Sequence, residues 1–312
     1  MGVIKVALAA LSLILVGALG LVYLTPEQAT RLAIDAERWR SGLVRREIDL
    51  PDGLHYVYLE GGQGEPLMLL HGFGANKDTF VRVARFLVPH YRVIAPDHIG
   101  FGESAHPLEA DYAPAAQMER LRALAQALGV KRVHLGGSSM GGHIAMIYAA
   151  VHPTEVASLW LLDPSGARSG PRSELQKIIS ATGRNPLMAG SEDEFAGIFA
   201  FVMSDPPFIP RPLLDVMAQE RIRNFILEGS IFKQIESNSV EERVTGMATP
   251  ALIVWGDQDR AIHVAAAGIL HKLMPHSQVI IMPGIGHLPM IERPRLSADD
   301  YLRFRASLQG TP

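Results

Sequence analysis

The chain contains no cysteine. That excludes disulfides, thiol catalysis and cysteine metal sites, and is compatible with any compartment. Its 12 histidines show no H-E-x-x-H or comparable ligand spacing, so no metal and no cofactor is expected. Charge of one sign is also lacking: the formal net charge is -3 over 312 residues, which implies no nucleic-acid partner. No internal repeat or low-complexity tract is visible. What remains is 48% hydrophobic and 20% charged, ample for one large or two modest globular domains.

The one long apolar run stands at the N-terminus. Val6 to Leu24 carries no charge, and Lys5 stands just before it. As a helix its 19 residues span about 28 Å, close to a bilayer's hydrocarbon thickness. Residues 1–24 are therefore expected to form a transmembrane anchor, with a cleaved signal at Ala18-Leu19-Gly20 as the competing reading. Residues 25–44 read as an amphipathic juxtamembrane helix. Thr25-Pro26-Glu27-Gln28 has the form of a capping box, with proline at the first helical position. Ala29, Leu32, Ala33, Ala36 and Trp39 share one face, with Arg31, Asp35, Arg38 and Arg40 off it. That face suits a lipid surface or the catalytic domain equally.

From residue 47 strands and helices alternate, the pattern of a mostly parallel sheet with helices on both faces. Strands are expected at Glu47–Leu50, Leu54–Glu60, Leu67–His71, Arg92–Ala95, Val133–Gly136, Ala157–Leu162, Ala251–Trp255 and Val279–Met282. A helix is expected over Asp78–Leu87. Residues 45–165 and 246–312 thus form an α/β core. Residues 166–245 lack the strand rhythm, look helical with breaks at Pro186 and Pro206–Pro212, and read as an inserted cap. Six of the 11 phenylalanines fall there: Phe195, Phe199, Phe201, Phe208, Phe225 and Phe232. An apolar underside over an active site is expected, with Phe199, Phe208, Ile209 and Leu213 as candidate substrate contacts.

Gly137-Ser138-Ser139-Met140-Gly141 sits between a strand and a helix, the form of a nucleophile elbow. The glycines let strand and helix approach closely at a sharp turn that lifts the Ser139 hydroxyl. A serine nucleophile needs a base and a group to orient it, and in this layout they follow in the order acid, then histidine. His287 follows the strand Val279–Met282 and is the expected base. Asp259, after the strand Ala251–Trp255, is the expected acid; Asp257 and Asp163 are the alternatives. Oxyanion donors are expected at the Met140 amide and, in His71-Gly72-Phe73-Gly74, at the Phe73 amide. His71 reads as a brace for that loop.

With these motifs in order, the chain resembles the alpha/beta-hydrolase superfamily along essentially everything after residue 47. The markers are His71–Gly74, Asp97-His98-Ile99-Gly100-Phe101-Gly102-Glu103-Ser104, the elbow, Gly256–Asp259 and Gly286-His287. Gly72–Asp78, Ser138–Gly142 and Glu292-Arg293-Pro294 are similar to the membrane-anchored monoacylglycerol lipases; the layout is also similar to bacterial inner-membrane phospholipases and lysophospholipases. The resemblance implies hydrolysis of lipid carboxylesters without a cofactor and a membrane lipid substrate. For the bacterial members it also implies a periplasmic catalytic domain and a homodimer. A carbon-carbon hydrolase of aromatic ring-cleavage products, a general short-chain esterase and a non-enzymatic scaffold are the rival readings.

Overall fold

The computed structural model describes residues 16, 17 and 19–309. The expected anchor, residues 1–24, lies largely outside the described residues. Among the described residues no helix is long and apolar enough to cross a membrane.

Eight strands form one sheet: β1 (Val44–Asp49), β2 (His55–Gly61), β3 (Glu65–Leu70), β4 (Tyr91–Pro96), β5 (Val133–Ser138), β6 (Val156–Leu162), β7 (Ala251–Gly256) and β8 (Ser277–Met282). Their spatial order is β1-β2-β4-β3-β5-β6-β7-β8. β1 pairs with β2 and β2 with β4 antiparallel; every later pairing is parallel. The apolar runs of β5 and β7 are buried at every position, as strands covered on both faces must be. Along β3 the side chains alternate between two cores. Met68 and Leu70 enter one; Leu67 and Leu69 enter the other.

Helices supply the other half of each core. α1 (Pro26–Arg40) precedes the sheet, and α2 (Pro114–Ala127) and α3 (Met140–Val151) pack with the first cluster through Leu121, Leu124 and Ile144. Between β6 and β7 lie the cap helices α4 (Glu174–Thr182), α5 (Glu192–Val202), α6 (Arg211–Arg223) and α7 (Phe225–Glu236), and one further short helix, Glu241–Val244. Pro186, Pro206, Pro207 and Pro210 fall between these helices and Pro212 in the first turn of α6, where their missing amides cost no helical bond. Ser173 and Gln176 close a capping box at the start of α4, and Gly183, with φ of 69°, ends it. α8 (Ala265–Leu273) joins the first core, and α9 (Pro294–Gln309) the second, where Tyr301 stacks on Trp160 at 4.8 Å.

Two local expectations are corrected. Thr25 stands at the N-cap position of α1, but its side chain makes no capping bond, and its hydroxyl donates to the Leu21 carbonyl at 3.1 Å. The expected helix over Asp78–Leu87 is a 3-10 turn, Lys77–Phe80, followed by one short helix, Val81–Ala84. The face of α1 is also informative. The helix packs on cap helix α6, yet Leu32 and Trp39 point outward, Trp39 at 82% exposure. Ala29 and Thr30 are buried instead, and Arg38 turns inward to grip Asp78 through two bonds of 2.7 Å. A bidentate pair with a partner inside the domain overrides the helix's own apolar stripe.

Candidate active site

Ser139 occupies the single residue between β5 and α3, with φ of 52° and ψ of -116°. Only one other described residue that is not glycine, Asp163, has positive φ. Such a conformation persists only where the surroundings enforce it. Here the Ser139 amide donates to the Leu162 carbonyl at 3.0 Å, and its carbonyl accepts from the His143 and Ser165 amides. Side chains at the flanking glycines would collide with backbone: a Cβ on Gly137 meets the Gly141 oxygen at 2.4 Å, and one on Gly141 meets the Leu70 oxygen at 2.0 Å. The loop after β3 closes on the turn, with the Cβ position of Gly72 3.1 Å from that of Ser139.

His287 and Asp259 meet at the neighbouring strand ends. The His287 Nδ1–H donates to Asp259 Oδ2 at 2.7 Å, which sets the tautomer and leaves Nε2 as the base. Asp259 is itself held: Trp255 Nε1 donates to Oδ2 at 3.2 Å, and the Ala261 and Ile262 amides donate to Oδ1 at 2.7 and 3.0 Å. The His287 amide donates to the Val202 carbonyl at 2.7 Å, and buried Glu292 accepts from Gly286 while also receiving the Ser204 and Asp205 amides. The histidine loop is thus tied to the cap.

The other two acid candidates are placed differently. Asp257 is exposed and accepts from the Gly284 amide at 2.7 Å, joining the two loops. Asp163 is fully buried and accepts from the Gly256 amide through Oδ1 at 2.9 Å. Among the described residues no N–H group donates to its Oδ2. Carboxylate oxygens of Asp163 and Asp259 and a His287 ring nitrogen lie within 4.8 Å of one another. Burial first, and the Asp259 charge second, push the Asp163 carboxyl well above its ordinary range.

Phe73, Ser139 and Met140 line one cavity under the cap. Among the described residues the Phe73 and Met140 amides find no acceptor, which leaves both available to a ligand. His71 braces this loop as expected: Nδ1 bonds the Gly72 carbonyl at 2.8 Å and Nε2 accepts the His98 amide at 3.0 Å. Burial lowers the His71 pKa to about 3, so the ring stays neutral.

The four substrate contacts expected in the cap are corrected. Phe199, Phe208, Ile209 and Leu213 do not line this cavity. Phe199 packs edge-on against Phe195 at 5.4 Å inside the cap. Phe208 is 91% exposed, Ile209 is half-buried and Leu213 is buried away from the cavity. The apolar wall comes instead from Leu175, Ile179, Leu187, Phe232, Ile235 and Ile262.

Sequence reasoning also missed Arg221. From α6 it donates to the Gly74 carbonyl at 2.6 Å and to the Leu187 carbonyl at 2.7 Å, while Nε is shared by both Glu228 oxygens. Its guanidinium fills the space a Cβ on Gly74 would need. No local pattern around Arg221 distinguishes it from the surface arginines of a cap helix.

The alpha/beta hydrolase fold family matches residues 65–294. The chain belongs to the alpha/beta-hydrolase family. It is 43% identical over 289 residues to Lipase 1 of Psychrobacter immobilis, covering 90% of each chain. To Lipase 3 of Moraxella sp. (strain TA144) it is 42% identical over 288 residues, again 90% of each. A crystal structure of a membrane phospholipase A superposes with a TM-score of 0.89 at 36% identity, over 98% of this chain and 100% of that one. This alpha/beta-hydrolase is an ester-bond hydrolase.

Proposed function

We propose that the protein is a membrane-anchored serine hydrolase of lipid carboxylesters: phospholipids, lysophospholipids or monoacylglycerols. Ser139 attacks the ester carbonyl as His287 Nε2 takes its proton, giving a tetrahedral intermediate whose oxyanion is received by the Phe73 and Met140 amides. Collapse transfers the proton to the leaving alcohol and leaves an acyl group on Ser139. Water, deprotonated by the same histidine, releases the fatty acid. Asp259 keeps Nδ1 protonated and balances the imidazolium. The observation that carries this reading is the Asp259–His287 bond at 2.7 Å beside a strained Ser139.

The lipid class is supported by the lipases and the phospholipase A that the chain resembles, and by the apolar wall of the cavity. Anchoring is supported by the uncharged run Val6–Leu24 and by the outward Leu32 and Trp39 of α1. An anchored enzyme receives its substrate by lateral diffusion within the membrane. The test is turnover of a monoacylglycerol and a lysophospholipid by the purified full chain and by Ser139→Ala. Fatty-acid release by the first alone supports the reading; release by both defeats it.

A further inference from the structure

The cavity at Ser139 is apolar along most of its wall but has a charged corner. Arg168, on the loop between β6 and α4, and Glu236, the last residue of α7, both line it. Both are exposed at its rim. Arg168 is held in place by two carbonyls at the end of α7: Nε donates to Asn238 and Nη2 to Ile235, each at 3.2 Å. Its amide and that of Ser169 donate to Glu241 Oε1 at 2.7 and 2.8 Å, so the loop that carries it is fixed as well. Nη1 is left without a hydrogen bond.

Neither Arg168 nor Glu236 enters an ion pair among the described residues, and the Glu236 carboxylate makes no hydrogen bond. Arg221 and Arg260 each have a carboxylate partner, at 2.7 and 2.6 Å. Arg168 has none; partial burial of its guanidinium lowers its pKa, opposed by the Glu236 charge. Two unpaired, opposite charges on one cavity wall match a ligand that itself carries both signs. The exposed rim suits a hydrated headgroup, and the apolar wall suits an acyl chain.

The geometry points to Arg168 and Glu236 as the receptor for a zwitterionic phosphate-bearing lipid headgroup, with phosphate on Arg168 and ammonium on Glu236. This rests on the lipid-ester reading of the same cavity. A guanidinium fixed through Nε and Nη2 presents Nη1 at little further entropic cost, which favours a phosphate oxygen over the hydroxyl of a neutral monoacylglycerol.

The experiment compares kcat/KM of the full chain for three esters of one acyl chain: lysophosphatidylethanolamine, lysophosphatidic acid and a monoacylglycerol. In Arg168→Met the ratio of either phospholipid to the monoacylglycerol is expected to fall by about tenfold or more, the worth of a charge-assisted bond. In Glu236→Gln the ratio of the ethanolamine ester to lysophosphatidic acid is expected to fall by about threefold or more. Unchanged ratios overturn the assignment. Glu236 is exposed and has no hydrogen bond to lose, so its arm stays decisive even if Arg168→Met fails to fold. Glycerophosphoethanolamine and inorganic phosphate are added as competitors to distinguish a headgroup site from a plain phosphate site. Stronger inhibition by the former supports the proposal, and equal inhibition overturns it. Wild-type turnover of a short chromogenic ester but of none of the three lipids would overturn the lipid reading itself, and the headgroup assignment with it.

Discussion

Asp163 and Asp259 stand at the ends of adjacent strands with carboxylate oxygens within 4.8 Å of each other and of the same His287 nitrogen. Two buried carboxylates this close do not both ionise at low cost. Asp259 receives four N–H donors, including Nδ1 of His287, and Asp163 receives one. Negative charge is therefore better accommodated at Asp259 than at Asp163, whose carboxyl burial pushes well above its ordinary range.

This arrangement makes Asp163 a reserve for the orienting acid. With Asp259→Asn, the like-charge neighbour is gone and Asp163 is freer to ionise beside His287. Ester hydrolysis is expected to fall by less than the roughly 10⁴-fold loss that removal of a sole orienting carboxylate brings. The Asp163→Asn/Asp259→Asn double variant is expected to reach that loss. Asp163→Asn alone, which keeps a neutral hydrogen-bonding group, is expected to stay within about tenfold of wild type. A single Asp163→Asn loss as large as that of Asp259→Asn would reverse the assignment.

Arg221 links the cap to the loop that carries the Phe73 amide. Arg221→Met removes the bond to Gly74 and leaves Glu228 buried without its partner. Stability is expected to drop by about 3–5 kcal/mol, as when one member of a buried pair is deleted. In the folded fraction kcat is expected to fall by more than KM rises, because a displaced Phe73 amide weakens binding of the transition state most. Denaturant melts and steady-state kinetics on a chromogenic ester test both parts. Stability loss with unchanged kcat would confine Arg221 to the architecture of the cap.

Four buried histidines make the fold acid-sensitive. Burial lowers His71 and His143 to about 3 and His134 to about 4, and places His98 well below its ordinary value. Between pH 6.5 and about 4 the unfolded chain binds protons that the native chain refuses, so stability falls as pH falls. Each histidine contributes up to about 1.4 kcal/mol per pH unit in that window. Denaturant midpoints at pH 7, 6 and 5 are expected to decline progressively. A flat profile would contradict the buried, neutral state of these rings.

Two glycine substitutions should behave oppositely. Gly141→Ala places a methyl 2.0 Å from the Leu70 oxygen, at the contact that closes the elbow; folded, active protein is expected to be lost. Gly197→Ala lies within α5 with nothing inside 4 Å of the new methyl. A gain of about 0.5–1 kcal/mol is expected from helix propensity alone. Melting temperatures of the two variants provide the check.

The parts of the site legible in the sequence are those written in local signals. Gly137 and Gly141 mark the elbow because a close backbone approach admits no side chain, and Asp259 and His287 stand where parallel strands end. Most strands were legible because short apolar runs bounded by turns have few other readings. The cavity wall was not legible. Phe199 and Phe232 look alike in sequence; only the docking of α5 and α7 decides that Phe232 reaches the cavity and Phe199 does not. Arg38 and Arg221 were hidden for the same reason. Their partners, Asp78 and Gly74, are 40 and 147 positions away. The outward turn of Trp39 follows from Arg38 turning in.

The acyl-enzyme proposed at Ser139 can be trapped directly. A slowly deacylating ester is mixed with the full chain, the reaction is quenched in acid during turnover, and the peptide containing Ser139 is weighed by mass spectrometry. The mass of one acyl group on Ser139, absent in Ser139→Ala together with ester hydrolysis, is the predicted result. Continued hydrolysis by Ser139→Ala, or an acyl group captured on a different residue, would contradict it.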